Sequence, residues 1–391
     1  MIAVSEAKKQ ILELCNTSKP QVVPLLSANG FVLAAPVFSV IDSPPFHQSA
    51  MDGYAFSFKN WDKKSALTVI GEIQAGTFSN NSLGTNEAFR IFTGAPIPSD
   101  ADAVVMQEKV IRNGNVIQIQ DTAITEGTNV RPKGSQTKKG EIALSLGDLV
   151  TPIGISFLAG LGINEVTVFS KPKVSIIVTG KELLKTSESF SEGKIYESNA
   201  IGLTAALQQI NIEPIAIEVV DDTLKEIKNA ISTHLNADIL ILTGGVSVGD
   251  YDLVPAALEK CNVEKIFHKV KQKPGKPLYF GKVNQTLIFA LPGNPAAALT
   301  CFYEYVLLAI DHFTHKKHFK KRQLPLANDF YKKAGLTHFL KGKTSENDVI
   351  ILENQESYKL NSFATADCLI TLDENSEYFK KGDLVTCSMI L

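Results

Sequence analysis

Cysteine is sparse in this 391-residue chain: five residues, Cys15, Cys261, Cys301, Cys368 and Cys387, an odd number and never spaced as CxxC. That pattern excludes a disulfide framework and a cysteine zinc site, and fits thiols that pack as small apolar groups in a reducing compartment. Charge of one sign is also lacking, since 39 Lys and Arg face 41 Asp and Glu for a formal net charge of -2. No general basic surface is left to hold a nucleic acid. The uncharged stretch Leu149 to Asn164 is broken by Pro152 and several glycines and is shorter than the ~20 apolar residues of a membrane helix, so no span is expected. The opening "MIAVSEAKKQILELC" mixes Glu and Lys into a helical apolar period without a signal-peptide core, and cytoplasmic residence is the expectation. Common signatures are missing as well: no G-x-S-x-G elbow, no Walker A loop, no H-E-x-x-H, and "GGVSVG" is not the dinucleotide fingerprint.

What is present is periodicity. From Lys173 onward, strand and helix patterns alternate through "KVSIIVTG", "SNAIGLTAALQQI", "IEPIAIEVV", "DDTLKEIKNAISTHLN" and "ADILILTGG", with Thr223 and Glu226 spaced as a capping box. Alternation of this kind predicts a parallel-rich sheet covered by helices, with ligands at the carboxyl ends of its strands. The loops beginning at Thr179, Asp221 and Thr243 therefore aim at one rim. Residues 42–139 read as short β-type runs, with a hairpin at "IRNGNVIQI", where Asn-Gly suits a two-residue turn with positive φ at both positions. Helical patterns on either side of that region predict a two-segment first domain, 1–41 and 140–168, into which the β-rich domain is inserted. An α/β domain over 169–318 and a small β domain over 319–391 follow. The basic run "HKKHFKKR" between them reads as a solvated connector.

Three segments carry candidate chemistry. "TGGVSVGDYD", Thr243 to Asp252, follows an apolar strand with a glycine-rich loop suited to cradling an anion, yet it contains Asp250 and Asp252. "KVKQKPGKP" sets Lys269, Lys271, Lys273 and Lys276 around a Pro-Gly turn, a natural counter-charge for phosphate or, alternatively, a solubilising edge strand. A divalent cation on Asp250 or Asp252, bridging to phosphate oxygens whose remaining charge the lysines neutralise, would reconcile the two. "SPPFHQSAMDGYAF" places Asp52 beside Gly53 in a Pro-stiffened loop, and its lone His47 has no partner at metal-ligand spacing. "RPKGSQTKKG" and "PGNP" are turn-rich loops able to face a phosphate or merely to turn.

These motifs, with "RIFTGAPIPSDADAVVMQE", "GTNVRPKG", "IYESNAIGL", "KPGKPLYFG" and "SFATADCLI" in the same order, resemble the molybdopterin molybdenumtransferase family, MoeA and the gephyrin E domain, over nearly the whole chain. The resemblance implies a multidomain α/β and β fold: a helical and mixed first domain, a β-rich inserted domain, an α/β molybdopterin-binding domain and a small C-terminal β-barrel-like domain. It further implies an elongated homodimer that binds adenylylated molybdopterin, takes in molybdate and releases AMP with Mg2+. A molybdopterin adenylyltransferase and recipient molybdoenzymes are the implied partners, with neither nucleic acid nor membrane. Asp52 and Thr93 would come from the opposing subunit, with Arg131 also on the substrate. Glu182, Asp221, Asp222, Asp252, Lys273 and Lys276 would lie in the α/β cleft, with Asp250 and Asp252 as metal ligands. Gly244, Gly245, Ser247 and Gly249, together with Pro292, Gly293, Asn294 and Pro295, would cradle the nucleotide, and Lys341 and Ser357 would supply last-domain contacts.

The chain departs from the family pattern at Gln136 and Lys181, positions often acidic, which makes the implied cleft less acidic and predicts retained activity with altered cation or molybdate handling. Two rival readings differ in kind. A molybdopterin adenylyltransferase would leave AMP in the product, whereas a pterin- or nucleotide-binding scaffold would bind without turnover.

Overall fold

The computed structural model describes residues 1–78, 82–246 and 253–390. The chain divides into two compact units, one of Gln21–Val168 and one of Met1–Pro20 with Phe169–Leu391.

In the second unit the apolar runs Val174–Thr179, Ile239–Thr243 and Thr286–Leu291 are buried along their whole length, as strands covered on both faces must be. With Ala216–Val220 they form four parallel strands in the order Ala216–Val220, Val174–Thr179, Ile239–Thr243, Thr286–Leu291. Tyr279–Val283 and Glu264–His268 continue the sheet antiparallel. From Val174–Thr179 the chain steps to one side for Ala216–Val220 and to the other for Ile239–Thr243. Such a reversal of strand order opens a crevice at the carboxyl ends. The helix Leu224–Thr233 starts as its sequence predicts, with the Thr223 hydroxyl accepting from the Glu226 N–H at 3.3 Å, but the Glu226 carboxylate reaches back to the N–H of Asp221 instead of Thr223.

The helical run Pro295–Thr314, which the apolar pattern after "PGNP" reads as a long buried helix, is long and apolar enough to cross a membrane, but 67% of its most apolar window is buried. Phe302, Tyr305, Val306, Ala309 and Ile310 pack into the core of this unit, so burial by the fold and not by lipid explains its composition. A π turn over Phe302–Val306 buries both Glu304 and Tyr305.

The first twenty residues correct the expected first domain. The helix Val4–Leu14 buries Ala7 and Ile11 in the α/β core, and Ile2 bonds through its backbone to Lys269 and Lys271. Lys8 on this helix pairs with the buried Glu304 and lies 5.5 and 5.4 Å from the ring centres of Tyr305 and Phe339. An amphipathic helix goes where its apolar stripe finds a complement, and chain proximity does not decide that.

The C-terminal strands Lys321–Pro325, Leu384–Met389, Cys368–Leu372 and Thr337–Thr344 form an antiparallel sheet. Its outer edge is the short strand Gln272–Lys273, parallel to Thr337–Thr344.

In the first unit, Ala103–Met106, Gly53–Phe56, Glu87–Ile91, Leu67–Ile73, Val116–Ile119 and Val110–Asn113 make a six-stranded sheet in that order. The expected hairpin is present with its turn shifted by one residue: Asn113 pairs with Val116, so Gly114 and Asn115 are central and Gly114 carries a positive φ of 61°. Leu25, Ala28 and Leu33 share a core with Val150, Leu158 and Val166, which joins the two segments flanking the insertion.

Candidate functional site

Among the described residues, a cavity of about 570 Å³ opens at the carboxyl ends of Val174–Thr179 and Ile239–Thr243. Its construction follows from the crevice in the sheet. Thr243 ends its strand fully buried, and its hydroxyl donates to the carbonyl of Pro292 at 3.2 Å. Asn199, at the start of the helix Asn199–Gln209, donates through Nδ2 to Thr243 Oγ1 and to the carbonyl of Gly293, both at 2.8 Å. One amide thus ties the helix, the strand end and the "PGNP" turn together. Asn199 Oδ1 and Thr179 Oγ1 remain buried without a hydrogen-bond partner within the chain. Buried polar atoms left open beside a cavity are poised for a polar ligand.

Glu197, a nearly buried residue of the cavity wall, also caps the helix, because its Oε1 accepts from the Ala200 N–H at 2.7 Å. Beyond Thr243 the backbone turns through Gly244 and Gly245 with φ of 95° and 58°. A Cβ on Gly244 would lie 2.4 Å from the carbonyl oxygen of Thr179, so only glycine lets this turn close against the neighbouring strand end. On the opposite wall, Asn294 Nδ2 donates to Ser357 Oγ at 2.9 Å, and the Ala296 N–H donates to the Ser357 carbonyl at 3.2 Å.

The first unit carries a separate constellation. Thr93 donates its backbone N–H and its hydroxyl to Oδ1 of Asp52, each at 2.8 Å. The backbone bond, then the hydroxyl, then the Arg90 charge hold the exposed Asp52 carboxyl below the usual carboxylate range. Arg131 is exposed and registers against Gln48 on the neighbouring strand. At Gln136 the side-chain oxygen accepts from the Ser43 hydroxyl at 3.4 Å.

Three family models match the chain in order: MoeA N-terminal region (domain I and II) at residues 2–162, probable molybdopterin binding domain at 175–312, and MoeA C-terminal region (domain IV) at 323–389. A molybdopterin molybdenumtransferase of Haemophilus influenzae is 33% identical, with 99% of this chain and 98% of the relative covered. This chain belongs to the molybdopterin molybdenumtransferase family. A second relative of that name, from Staphylococcus aureus, is 32% identical over 98% of this chain and 94% of its own length. The crystal structure of a molybdopterin biosynthesis MoeA protein from Pyrococcus horikosii superposes with a TM-score of 0.86 at 28% identity, covering 100% of this chain and 99% of the other. The α/β and β multidomain architecture is therefore that of the MoeA structures.

The residues that the family resemblance nominates fall unevenly on the structure. Glu182, Gly244, Gly245 and the turn Pro292, Gly293, Asn294 and Pro295 all line the cavity. The Ala296 N–H behind that turn is already taken by Ser357, so the helix start forms wall more than open anion cradle. Asp221 and Asp222 sit at the same rim, where a Cβ on Gly245 would lie 3.9 Å from Asp222 Oδ1. Lys276 adjoins Pro277 of the cavity wall, while Lys273 is on the sheet-edge strand, so the two readings of the lysine run each describe part of it. Gln272 orders this turn by donating to the Gly275 carbonyl at 3.1 Å.

Lys341 is a correction. It is buried, and its ammonium donates to the carbonyls of Asn354, Glu356 and Lys359 at 2.6, 3.4 and 3.1 Å, so it fastens a loop and does not face a ligand. Burial accordingly pushes its pKa down. Ser247, Gly249, Asp250 and Asp252 lie outside the described residues. Among those described, no group of three or more His, Cys, Asp or Glu is arranged to hold a metal. Thr179 and Thr243, which open two of the rim loops expected from the alternation, are in the cavity wall, and Asn199 and Tyr358 are cavity residues not named as site residues from the motifs. For Asn199 a signal was present, a Ser-Asn pair opening a helix in "YESNAIG", but Tyr358 comes from a loop of a different domain.

Proposed function

We propose that this chain inserts molybdenum into molybdopterin in molybdenum cofactor biosynthesis, taking adenylylated molybdopterin and molybdate as substrates and releasing AMP. The observation that carries the reading is the cavity at the strand-order reversal, with a buried polar floor of Thr179, Asn199 and Thr243, in a chain whose full length matches the family. Backbone N–H groups at the Gly244–Gly245 turn face the phosphates, and Lys276, beside the cavity wall, offsets their charge. Water attacks the adenylyl phosphorus, the bond from that phosphorus to the bridging oxygen breaks, and AMP departs while the pterin keeps its phosphate. Such a displacement is mainly positioning and charge stabilisation, so no covalent nucleophile is required.

Mg2+ fits the donor set, because it takes oxygen ligands and usually needs only one or two carboxylates beside substrate phosphates. Glu182 with the open Asn199 Oδ1, joined by Asp250 or Asp252, would hold it, and it would supply charge neutralisation at the phosphate oxygens. Asp52, kept ionised by Thr93, orients water or substrate from a second copy of the chain. A homodimer is supported by the first unit's exposed apolar side chains, Leu26 and Ile153 at 82% and Leu146 at 58%, which a monomer would leave in water. Residence is cytoplasmic, in keeping with five free thiols.

The test is to incubate the purified protein with adenylylated molybdopterin, Mg2+ and molybdate and follow AMP together with molybdenum on the pterin. Release of AMP with molybdenum insertion, both lost in Glu182→Ala and Asp252→Ala, is the expected result. Product that retains AMP would point to an adenylyltransferase, and binding without turnover to a scaffold.

A further inference from the structure

We propose that Tyr358 is a stacking platform for the planar heterocycle of the bound substrate, a specificity-determining contact supplied to the α/β cavity by the C-terminal domain. The inference rests on the function proposed above. Tyr358 lines the cavity yet leaves 64% of its surface exposed. An exposed tyrosine on a loose loop would mean little. This loop, however, is fastened on both sides of the residue.

Before Tyr358, the Gln355 amide donates to the carbonyls of Lys341 and Leu352 at 2.9 and 2.7 Å and accepts the Lys341 N–H at 2.9 Å. Ser357 is held by Asn294 through its hydroxyl and by the Ala296 N–H through its carbonyl. After it, the Lys359 carbonyl takes the third bond from the buried Lys341 ammonium, whose other two go to Asn354 and Glu356. The Lys359 side chain bonds Asn354 Oδ1 at 2.9 Å and Glu356 Oε1 at 3.0 Å, and its ammonium lies 5.9 Å from the centre of the Tyr358 ring. Burying an ammonium is costly unless its bonds are made, and here those bonds order a segment whose aromatic ring is presented to a cavity. A tyrosine on a backbone fastened in this way requires little ordering of its loop to receive a flat partner, and every nucleobase or pterin offers a π face.

Adenine and pterin share that chemistry, and one binding series separates them. Kd is measured by calorimetry for AMP, for neopterin and for ribose 5-phosphate, which lacks a base, on wild type, Tyr358→Phe and Tyr358→Ala. Tyr358→Ala is expected to weaken one heterocyclic probe roughly tenfold, with ribose 5-phosphate unchanged and Tyr358→Phe within about twofold of wild type. The probe that moves names the ring. Equal affinities in Tyr358→Ala and wild type, or an equal loss for ribose 5-phosphate, would overturn stacking while leaving the transferase reading intact. A Tyr358→Phe protein as weak as Tyr358→Ala would also overturn it, in favour of a hydroxyl hydrogen bond. Wild type that binds none of the probes and inserts no molybdenum would remove the function reading and the stacking with it.

Discussion

Thr93 grips a single oxygen of Asp52 with two donors, its N–H and its hydroxyl, both at 2.8 Å. Two segments 41 residues apart in sequence are thereby joined at one exposed carboxylate. Because the pKa of the folded state is lowered, ionised Asp52 contributes stability above its unfolded pKa, and that contribution fades as pH falls through the lower folded value. Thr93→Val removes the hydroxyl and keeps the backbone bond. Its Asp52 should titrate at higher pH by carboxyl NMR, and the acid limb of the activity profile should move upward in pH with it. An unchanged titration would mean that the hydroxyl contributes nothing to holding the carboxylate ionised.

Gly244 and Gly140 separate conformational strain from collision. Both have positive φ, 95° and 85°, but a Cβ at Gly244 meets the Thr179 carbonyl at 2.4 Å while one at Gly140 meets nothing within 4 Å. Gly140→Ala should cost about 1 kcal/mol and leave activity near wild type. Gly244→Ala should cost about 1–3 kcal/mol more and abolish most activity, because the cavity floor must shift. Denaturant midpoints and initial rates on both variants check this, and equal losses would argue against the collision.

Glu304 is buried, which acts to raise its pKa, but the charge and hydrogen bond of Lys8, with the charge of Lys321, help to outweigh burial and hold it below the usual carboxylate range. In wild type its contribution is therefore present above the unfolded carboxylate pKa and is lost as pH falls through the lower folded value. Lys8→Met leaves the carboxylate buried without its closest partner and should cost about 3–5 kcal/mol at neutral pH. The deficit should shrink toward acid pH, where the carboxyl takes a proton, and Lys8→Met with Glu304→Gln should recover part of it. Melting temperatures measured from pH 8 to about 4.5 test the pair. Parallel curves for wild type and Lys8→Met would refute the assignment.

Lys341→Met should weaken stability by about 1–3 kcal/mol by stranding the carbonyls of Asn354, Glu356 and Lys359. Since this residue acts on the substrate only through its loop, KM should rise more than kcat falls, and Lys341→Arg should restore part of the loss. A collapse of kcat at unchanged KM would indicate direct contact with the reacting groups instead.

The elements of the α/β domain and the rim of its sheet were legible in the residues alone. Fully apolar runs such as "ILILT" suit strands covered on both faces, alternation with amphipathic helices makes those strands parallel, and parallel strands deliver their following loops to one edge. The glycine-rich loop after Thr243 was legible as a possible anion cradle at that rim, whereas the close approach of Gly244 to the Thr179 carbonyl came only with the fold. Long-range contacts were not legible, and folding in three dimensions settled them. It sent the helix Val4–Leu14 to the α/β core, turned Lys341 from a ligand contact into a loop fastener, and brought Tyr358 to a cavity begun by strands far earlier in the chain. Periodicity reports which face of an element is apolar, but not which distant surface will cover it. That choice is made by complementary shape and by the need to satisfy every buried charge and hydrogen bond.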